Sequence, residues 1–260
     1  GGLEAGEGFE RGVAADRLVA LEHGQTDDVA HRDDGTGEAP FHPCPRGPLL
    51  KNLTLKAVQS VDVGTLKPGT PYAEQFKEQQ PVFRARIPRL AEVLLLLKHK
   101  ARTGEHVRLN IETKINPPQP ADTVSPEEMV DRLLDVLGSY EFKHRVTIQS
   151  FDWRTLQLVQ KREPTIPTVY LTVQTPNNDN VKDERWTAGF KLADHGGSVP
   201  RMIKAAGGAV WSPNQGAVTE ALVKEAQALG LKVIPWTVNN PPDMERLIDW
   251  GVDGLITDYP

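Results

Sequence analysis

The sequence predicts a parallel α/β barrel of the TIM, or (β/α)8, type over most of its length. Three observations carry this. Helical and strand patterns alternate six times from Ile87 onward, and such alternation means βαβ units around a parallel sheet. Six units in roughly 175 residues is the spacing of a barrel wall. A chain of 260 residues is also the size at which such barrels fold as one unit.

The elements can be taken in order. Helical segments begin near Pro88, Ser125, Asp152, Ser198, Thr219 and Pro241. Ser125-Pro126-Glu127-Glu128 combines an N-cap residue, a proline at the first helical position and early acids. Strands are predicted at Val107–Thr113, Val146–Ser150, Thr168–Val173, Ala209–Ser212, Lys232–Val238 and Gly254–Thr257. A doubly wound open sheet is the alternative. No GxGxxG turn supports it, and Gly207-Gly208 precedes a strand rather than following one.

Ahead of this region the composition changes. The first fifty residues contain no lysine, whereas the rest of the chain is rich in it. They are acidic and Gly-rich, with Asp27-Asp28, Asp33-Asp34 and Gly35-Thr36-Gly37 close together. Gly12–Glu22 predicts a short helix through Val13, Leu18, Val19 and Leu21, and no strand is predicted before Leu49. Pro40, Pro43, Pro45 and Pro48 predict an extended loop, and residues 62–85 read as irregular around the turn Lys67–Pro71. The chain thus divides into an anomalous segment, 1–45, and a barrel, 46–260, whose first strands are incomplete or aberrant.

Charge and composition exclude several classes. The net charge is −5 with no basic stripe, which argues against a nucleic-acid partner. Cys44 is the lone cysteine, so an internal disulfide framework is excluded. No apolar run approaches the ~20 residues of a membrane span, and Val93–Leu97 lies inside an amphipathic helical pattern. Both the cytoplasm and, for a chain with a leader ahead of this sequence, the periplasm or exterior fit these residues.

In a parallel barrel the reactive groups sit at the carboxyl ends of the strands. The segment Val107–Lys114 is the most informative. Alternation puts Leu109, Ile111 and Thr113 on one face and Asn110, Glu112 and Lys114 on the other. Barrel strands are normally apolar on both faces, and three polar groups in register are costly to bury without partners. A carboxylate can hold a hard divalent cation, and a lysine two residues on can meet a phosphate oxygen. On spacing alone, a plain Glu112–Lys114 ion pair at a strand end is the simpler reading. Gln149-Ser150-Phe151, Trp211-Ser212-Pro213 and Trp236-Thr237-Val238-Asn239 close other strands with polar and aromatic groups. Each tryptophan alone reads as packing, but the set together reads as a ligand pocket. His99, His106 and His144 read as surface residues near helix ends. His195 lies in a loop before a helix and reads as solvent-exposed, with catalysis the alternative. His23, His31 and His42 lie in the front segment.

Four stretches resemble the metal-dependent glycerophosphodiester phosphodiesterase family. Ile87-Pro88-Arg89-Leu90-Ala91-Glu92-Val93 resembles its "IPxLxEVL" helix start, and Asn110-Ile111-Glu112-Thr113-Lys114 its "IExK" strand. Ile148-Gln149-Ser150-Phe151-Asp152 resembles "xQSFD". Trp236–Asn239 through Gly251–Pro260 resembles the close "WTVN…GVDGIITDyP". The resemblance covers about four-fifths of the chain, from about Pro45 on, with weaker similarity at Gly47–Leu49 and Leu53–Leu55. It implies a TIM barrel that hydrolyses lipid-derived glycerophosphodiesters to glycerol 3-phosphate and an alcohol, using a divalent cation, Mg2+ or Ca2+, and two histidines. By the same resemblance Glu112 is the metal ligand and Lys114 the active-site lysine, with Gln149 and Trp236 on the substrate wall. The family's "HRG…PENT", "ELD" and "HD" motifs, which supply the two histidines and two further carboxylates, are absent. His31, in His31-Arg32-Asp33, is a faint echo of "HD". A shifted reading frame or divergent substitution would each produce such a front. Impaired cation binding and slow or absent turnover follow, and a non-catalytic barrel that binds phosphodiesters or a protein partner is the other reading.

Overall fold

The computed structural model describes residues 49–101, 107–176 and 178–259. The expectations for residues 1–45, including the Gly12–Glu22 helix and His31, lie outside the described residues. Strands β1 (Leu109–Glu112), β2 (Val146–Ser150), β3 (Thr168–Thr172), β4 (Val210–Pro213) and β5 (Lys232–Val233) form one sheet in the order β1-β2-β3-β4-β5. Every pairing is parallel. Each strand lies beside the next in the chain, as in a barrel wall. A doubly wound sheet reverses its strand order at a switch point, and among the described residues there is no such reversal.

Eight helices accompany the sheet among the described residues: α1 (Leu55–Val58), α2 (Pro71–Gln75), α3 (Leu90–Ala101), α4 (Pro126–Ser139), α5 (Trp153–Arg162), α6 (Val199–Ala205), α7 (Glu220–Ala228) and α8 (Pro241–Asp249). Their starts are chemical. The side chains of Ser125, Asp152, Ser198 and Thr219 accept backbone N–H groups that the first turn leaves without partners. At α3 the Glu92 carboxylate reaches back to the Arg89 N–H at 2.7 Å, so the helix begins two residues later than Pro88. Residues 62–85 carry α2 but are otherwise largely irregular, and Asp62 bridges Arg86 in antiparallel fashion.

The last predicted strand is corrected. Gly254–Thr257 is not a strand, and β5 stops at Val233 rather than Val238. Beyond Val233 the contact with β4 continues as single bonds, Ile234 N–H to the Trp211 carbonyl and Trp236 N–H to the Pro213 carbonyl, both at 3.0 Å, while Pro235 has no N–H to give on the side facing 253–257. The two segments still run side by side: Asp253 N–H donates to the Val233 carbonyl at 2.9 Å, Ile256 N–H to Pro235 at 2.9 Å, and Val238 N–H to Ile256 at 2.8 Å.

The sheet has two unlike faces. On the helix side, Leu109, Ile111, Val146, Ile148, Tyr170, Trp211 and Val233 join Leu134, Leu156, Ile203, Val223 and Leu247 in one buried cluster. On the inner side, Phe151, Leu171, Val173 and Trp186 form a second cluster, with Trp236 against it. A small third core, Leu50, Val58 and Ile87, holds the segment ahead of α3. No helix among the described residues is long and apolar enough to cross a membrane.

Gly207-Gly208 carries the chain from α6 into β4. Gly207 has φ +78°, a conformation that side chains disfavour. A Cβ on Gly208 would stand 2.5 Å from the Ile203 methyl and 2.9 Å from the Tyr170 ring. The Tyr170 phenol is itself fixed, donating to the Ala206 carbonyl at 2.9 Å. Gly208→Ala is therefore expected to destabilise the fold by about 1–3 kcal/mol through overpacking. Urea unfolding measures this, and a midpoint equal to that of the unmodified chain would contradict it.

Candidate active site

Asn110, Glu112 and Lys114 project from β1 and its carboxyl end away from the helix-side cluster, as strand alternation requires. Glu112 is 4% exposed. The Lys114 ammonium lies 3.7 Å from Glu112 Oε1, so the two side chains share one side of the sheet and form an ion pair. Gln149 sits opposite Glu112 in the parallel register, is 2% exposed, and turns its Nε2 toward Glu112 Oε2 at 3.5 Å. Two residues on and on the same face, Phe151 meets the Trp236 ring edge-on at 5.4 Å. The Trp236 indole N–H donates to the Ser212 carbonyl at 2.9 Å, which fixes the ring plane. The inner face is thus polar at β1 and β2 and apolar toward β3 and the extension of β5.

The Gln149–Asp152 stretch also has a structural task. Ser150 donates its hydroxyl to the Thr113 carbonyl at 2.8 Å and accepts from the Asp152 N–H at 3.1 Å. Thr113 and Thr155 share a buried hydroxyl contact of 2.8 Å. These bonds tie the ends of β1 and β2 to the start of α5. Asp152 caps α5 by accepting the Arg154 N–H at 3.0 Å, and takes the Arg154 guanidinium in a two-pronged pair at 2.9 and 2.6 Å. Burial pushes the Asp152 carboxyl above its ordinary value of 3.8, against the opposing pull of Arg154.

Asn180 is a buried polar residue that sequence reasoning missed. It is 1% exposed, accepts the Val173 N–H at 2.8 Å, and turns its amide nitrogen to the Leu171 carbonyl at 3.3 Å. It holds the loop after β3 over the strand ends. No signal marked it, because an asparagine among polar loop residues reads as exposed. At the other end of the sheet, Asn239 accepts the Asp258 N–H at 2.9 Å and donates to the Asp258 carboxylate at 2.9 Å. The two final motifs are therefore joined to one another.

Among the described residues, no group of three or more His, Cys, Asp or Glu side chains comes together. One carboxylate with an ammonium 3.7 Å away is a poor fit for Mg2+ or Ca2+, which need several oxygen ligands. His99 and His144 are exposed, and His195 is half-buried beside the Phe190 ring at 6.1 Å.

The model of the glycerophosphoryl diester phosphodiesterase family matches residues 14–260. This chain belongs to that family. Its fold is the family's α/β barrel. The match begins inside the lysine-free front segment. A glycerophosphodiester phosphodiesterase of Bacillus subtilis strain 168 is 30% identical over 213 residues, 81% of this chain and 63% of that protein. The chain therefore spans less than two thirds of that relative's length. A crystal structure from Silicibacter pomeroyi, described under the same family name, is 31% identical with a TM-score of 0.72, and the match covers 92% of this chain and 74% of that one. An Oleispira antarctica phosphodiesterase, solved in complex with the product sn-glycerol-3-phosphate, shares the fold at 18% identity and TM-score 0.58, over 92% of this chain and 79% of that one.

The raised Asp152 carboxyl has a consequence for stability. A carboxyl whose folded value lies above its unfolded one favours the folded state most when protonated. Its contribution is full below the unfolded value of 3.8 and is lost as pH rises through the folded value. Asp152→Asn keeps the cap but cannot titrate. The stability of the unmodified chain relative to this variant is expected to rise as pH falls from about 7 toward about 4. Urea unfolding of both proteins across that window checks it, and parallel profiles would contradict it.

Proposed function

We propose that this chain acts on lipid-derived glycerophosphodiesters, hydrolysing them to glycerol 3-phosphate and an alcohol. The observation that carries the reading is the buried Glu112 with Lys114 beside it on the inner face of the sheet, in a chain of this family. In the reaction, water adds its oxygen to phosphorus, the bond from phosphorus to the alcohol oxygen breaks, and the alcohol takes up a proton. The Lys114 ammonium attracts the anionic phosphodiester and offsets charge on its oxygens. The ring of Trp236, backed by Phe151, gives the organic part of the substrate an apolar wall. Family chemistry points to a divalent cation, Mg2+ or Ca2+, with Glu112 as its ligand. The described residues bring this one carboxylate, so cation binding is expected to be weak. A small-molecule partner suits the site, and the acidic balance of the chain disfavours nucleic acid.

A second reading has its own observation. The described residues bring no acid–base histidine to Glu112, and each such group is worth ~10²–10⁴ in rate. On this reading the barrel binds phosphodiesters without turning them over. One experiment separates the two. The purified chain is given glycerophosphocholine with added Mg2+ or Ca2+, and release of glycerol 3-phosphate is followed; calorimetry measures binding of glycerol 3-phosphate. Hydrolysis is expected to vanish in Glu112→Ala and to slow by about a hundredfold in Lys114→Ala. Binding that needs Lys114, without release of product, favours the second reading. Neither binding nor release would contradict both.

A further inference from the structure

Both ends of the Gln149 amide are engaged inside the protein. Its Oε1 accepts from Asn110 Nδ2 at 2.5 Å, and its Nε2 faces Glu112 Oε2 at 3.5 Å. Asn110 Oδ1 in turn accepts the Thr147 hydroxyl at 2.8 Å. That hydroxyl has one weaker alternative, the Leu109 carbonyl at 3.5 Å. The four side chains come from two facing pairs of the β1–β2 ladder, Asn110 with Thr147 and Glu112 with Gln149. They form one line along the inner face, from Thr147 to Glu112 and on to Lys114.

The direction of this line follows from the chemistry of its end. An ionised carboxylate only accepts. Gln149 must therefore turn its NH2 toward Glu112, which leaves its oxygen for Asn110. Asn110 must then spend its own NH2 on Gln149, which leaves its oxygen for Thr147, and Thr147 must donate. The 3.5 Å contact is long for a hydrogen bond, so its weight is that of a charge facing a dipole. A flipped Gln149 would set an amide oxygen against the carboxylate. In a buried, low-dielectric setting that reversal costs more than it does in water.

We infer that Thr147 and Asn110 are positioning residues that hold the Gln149 amide with its NH2 facing Glu112 Oε2, so that Oε1 is the edge turned to Lys114, whose ammonium meets a bound phosphodiester. Gln149 thereby serves the carboxylate rather than the substrate. The functional half of this inference rests on the site handling a phosphodiester, as proposed above. Its structural half does not.

The test uses the full chain labelled with 15N at glutamine, the Gln149 side-chain signals being assigned by their loss in Gln149→Glu. In the unmodified chain and in Thr147→Ser the Gln149 amide protons are expected to exchange slowly with water. In the isosteric Thr147→Val they are expected to exchange at least about fivefold faster, and binding of glycerol 3-phosphate, read by calorimetry, to weaken by about fivefold, with Thr147→Ser restoring both. Asn110→Leu gives the same exchange readout should Thr147→Val not fold. Exchange and binding indifferent to Thr147 and Asn110 would overturn the inference. If the unmodified chain neither binds glycerol 3-phosphate nor releases it from glycerophosphocholine while Gln149 exchange still follows Thr147, the proposed function falls and the positioning relay stands. If binding depends on Lys114 while Gln149 exchange ignores Thr147, the relay falls and the proposed function stands.

Discussion

The register between β1 and β2 sets Glu112 opposite Gln149 and Leu109 opposite Val146. Because side chains alternate along a strand, a slip of one residue would move the whole set to the opposite face. Glu112 and Lys114 would enter the apolar layer beneath α4 and α5, and Ile111 would face the inner side. Two features forbid it. The helix-side positions Leu109, Ile111, Val146 and Ile148 lose their burial on slipping. The Ser150 hydroxyl on the Thr113 carbonyl and the Thr113–Thr155 contact fit only the native register. The candidate site is thus a by-product of strand pairing, and its precision is that of the ladder.

That constraint explains why the inner face has two halves. β1 and β2 carry Asn110, Glu112, Thr147 and Gln149, which satisfy one another across the ladder. Further along the sheet Leu171, Val173, Phe151 and Trp236 exclude water. The buried Gln149 and the half-buried Asn110 and Thr147 are tolerable here because they pair with one another across the two strands, and the buried Glu112 meets the Gln149 amide dipole and the Lys114 ammonium. An anionic head beside Lys114 and an organic group against Trp236 would each meet matching chemistry, which is the basis of the proposed substrate class.

Much of this was legible in the sequence for physical reasons. Helix starts showed because Ser125, Asp152, Ser198 and Thr219 are cap chemistry, and all four cap in the structure. The odd polarity of Asn110, Glu112 and Lys114 showed because period two makes one face of a strand visible. The end of the sheet misled, since Gly254–Thr257 is apolar enough for a strand, yet Pro235 breaks the ladder it would join. Asn180 was invisible because its partners are carbonyls and N–H groups brought near only by folding. The line from Thr147 to Glu112 was invisible too: it depends on which residue faces which across two strands, and a single strand's pattern does not contain that. The front segment, with His31, stands apart by composition alone.

The central claim is that Glu112 and Lys114 form one anion-facing unit on the inner face of the sheet. A crystal structure of the chain with glycerol 3-phosphate tests it most directly. The account expects the phosphate within hydrogen-bond reach of the Lys114 ammonium, Glu112 still flanked by Gln149, and the glycerol carbons on the Trp236 side. A phosphate bound away from Lys114, or a Glu112 side chain turned among the helices, would contradict it.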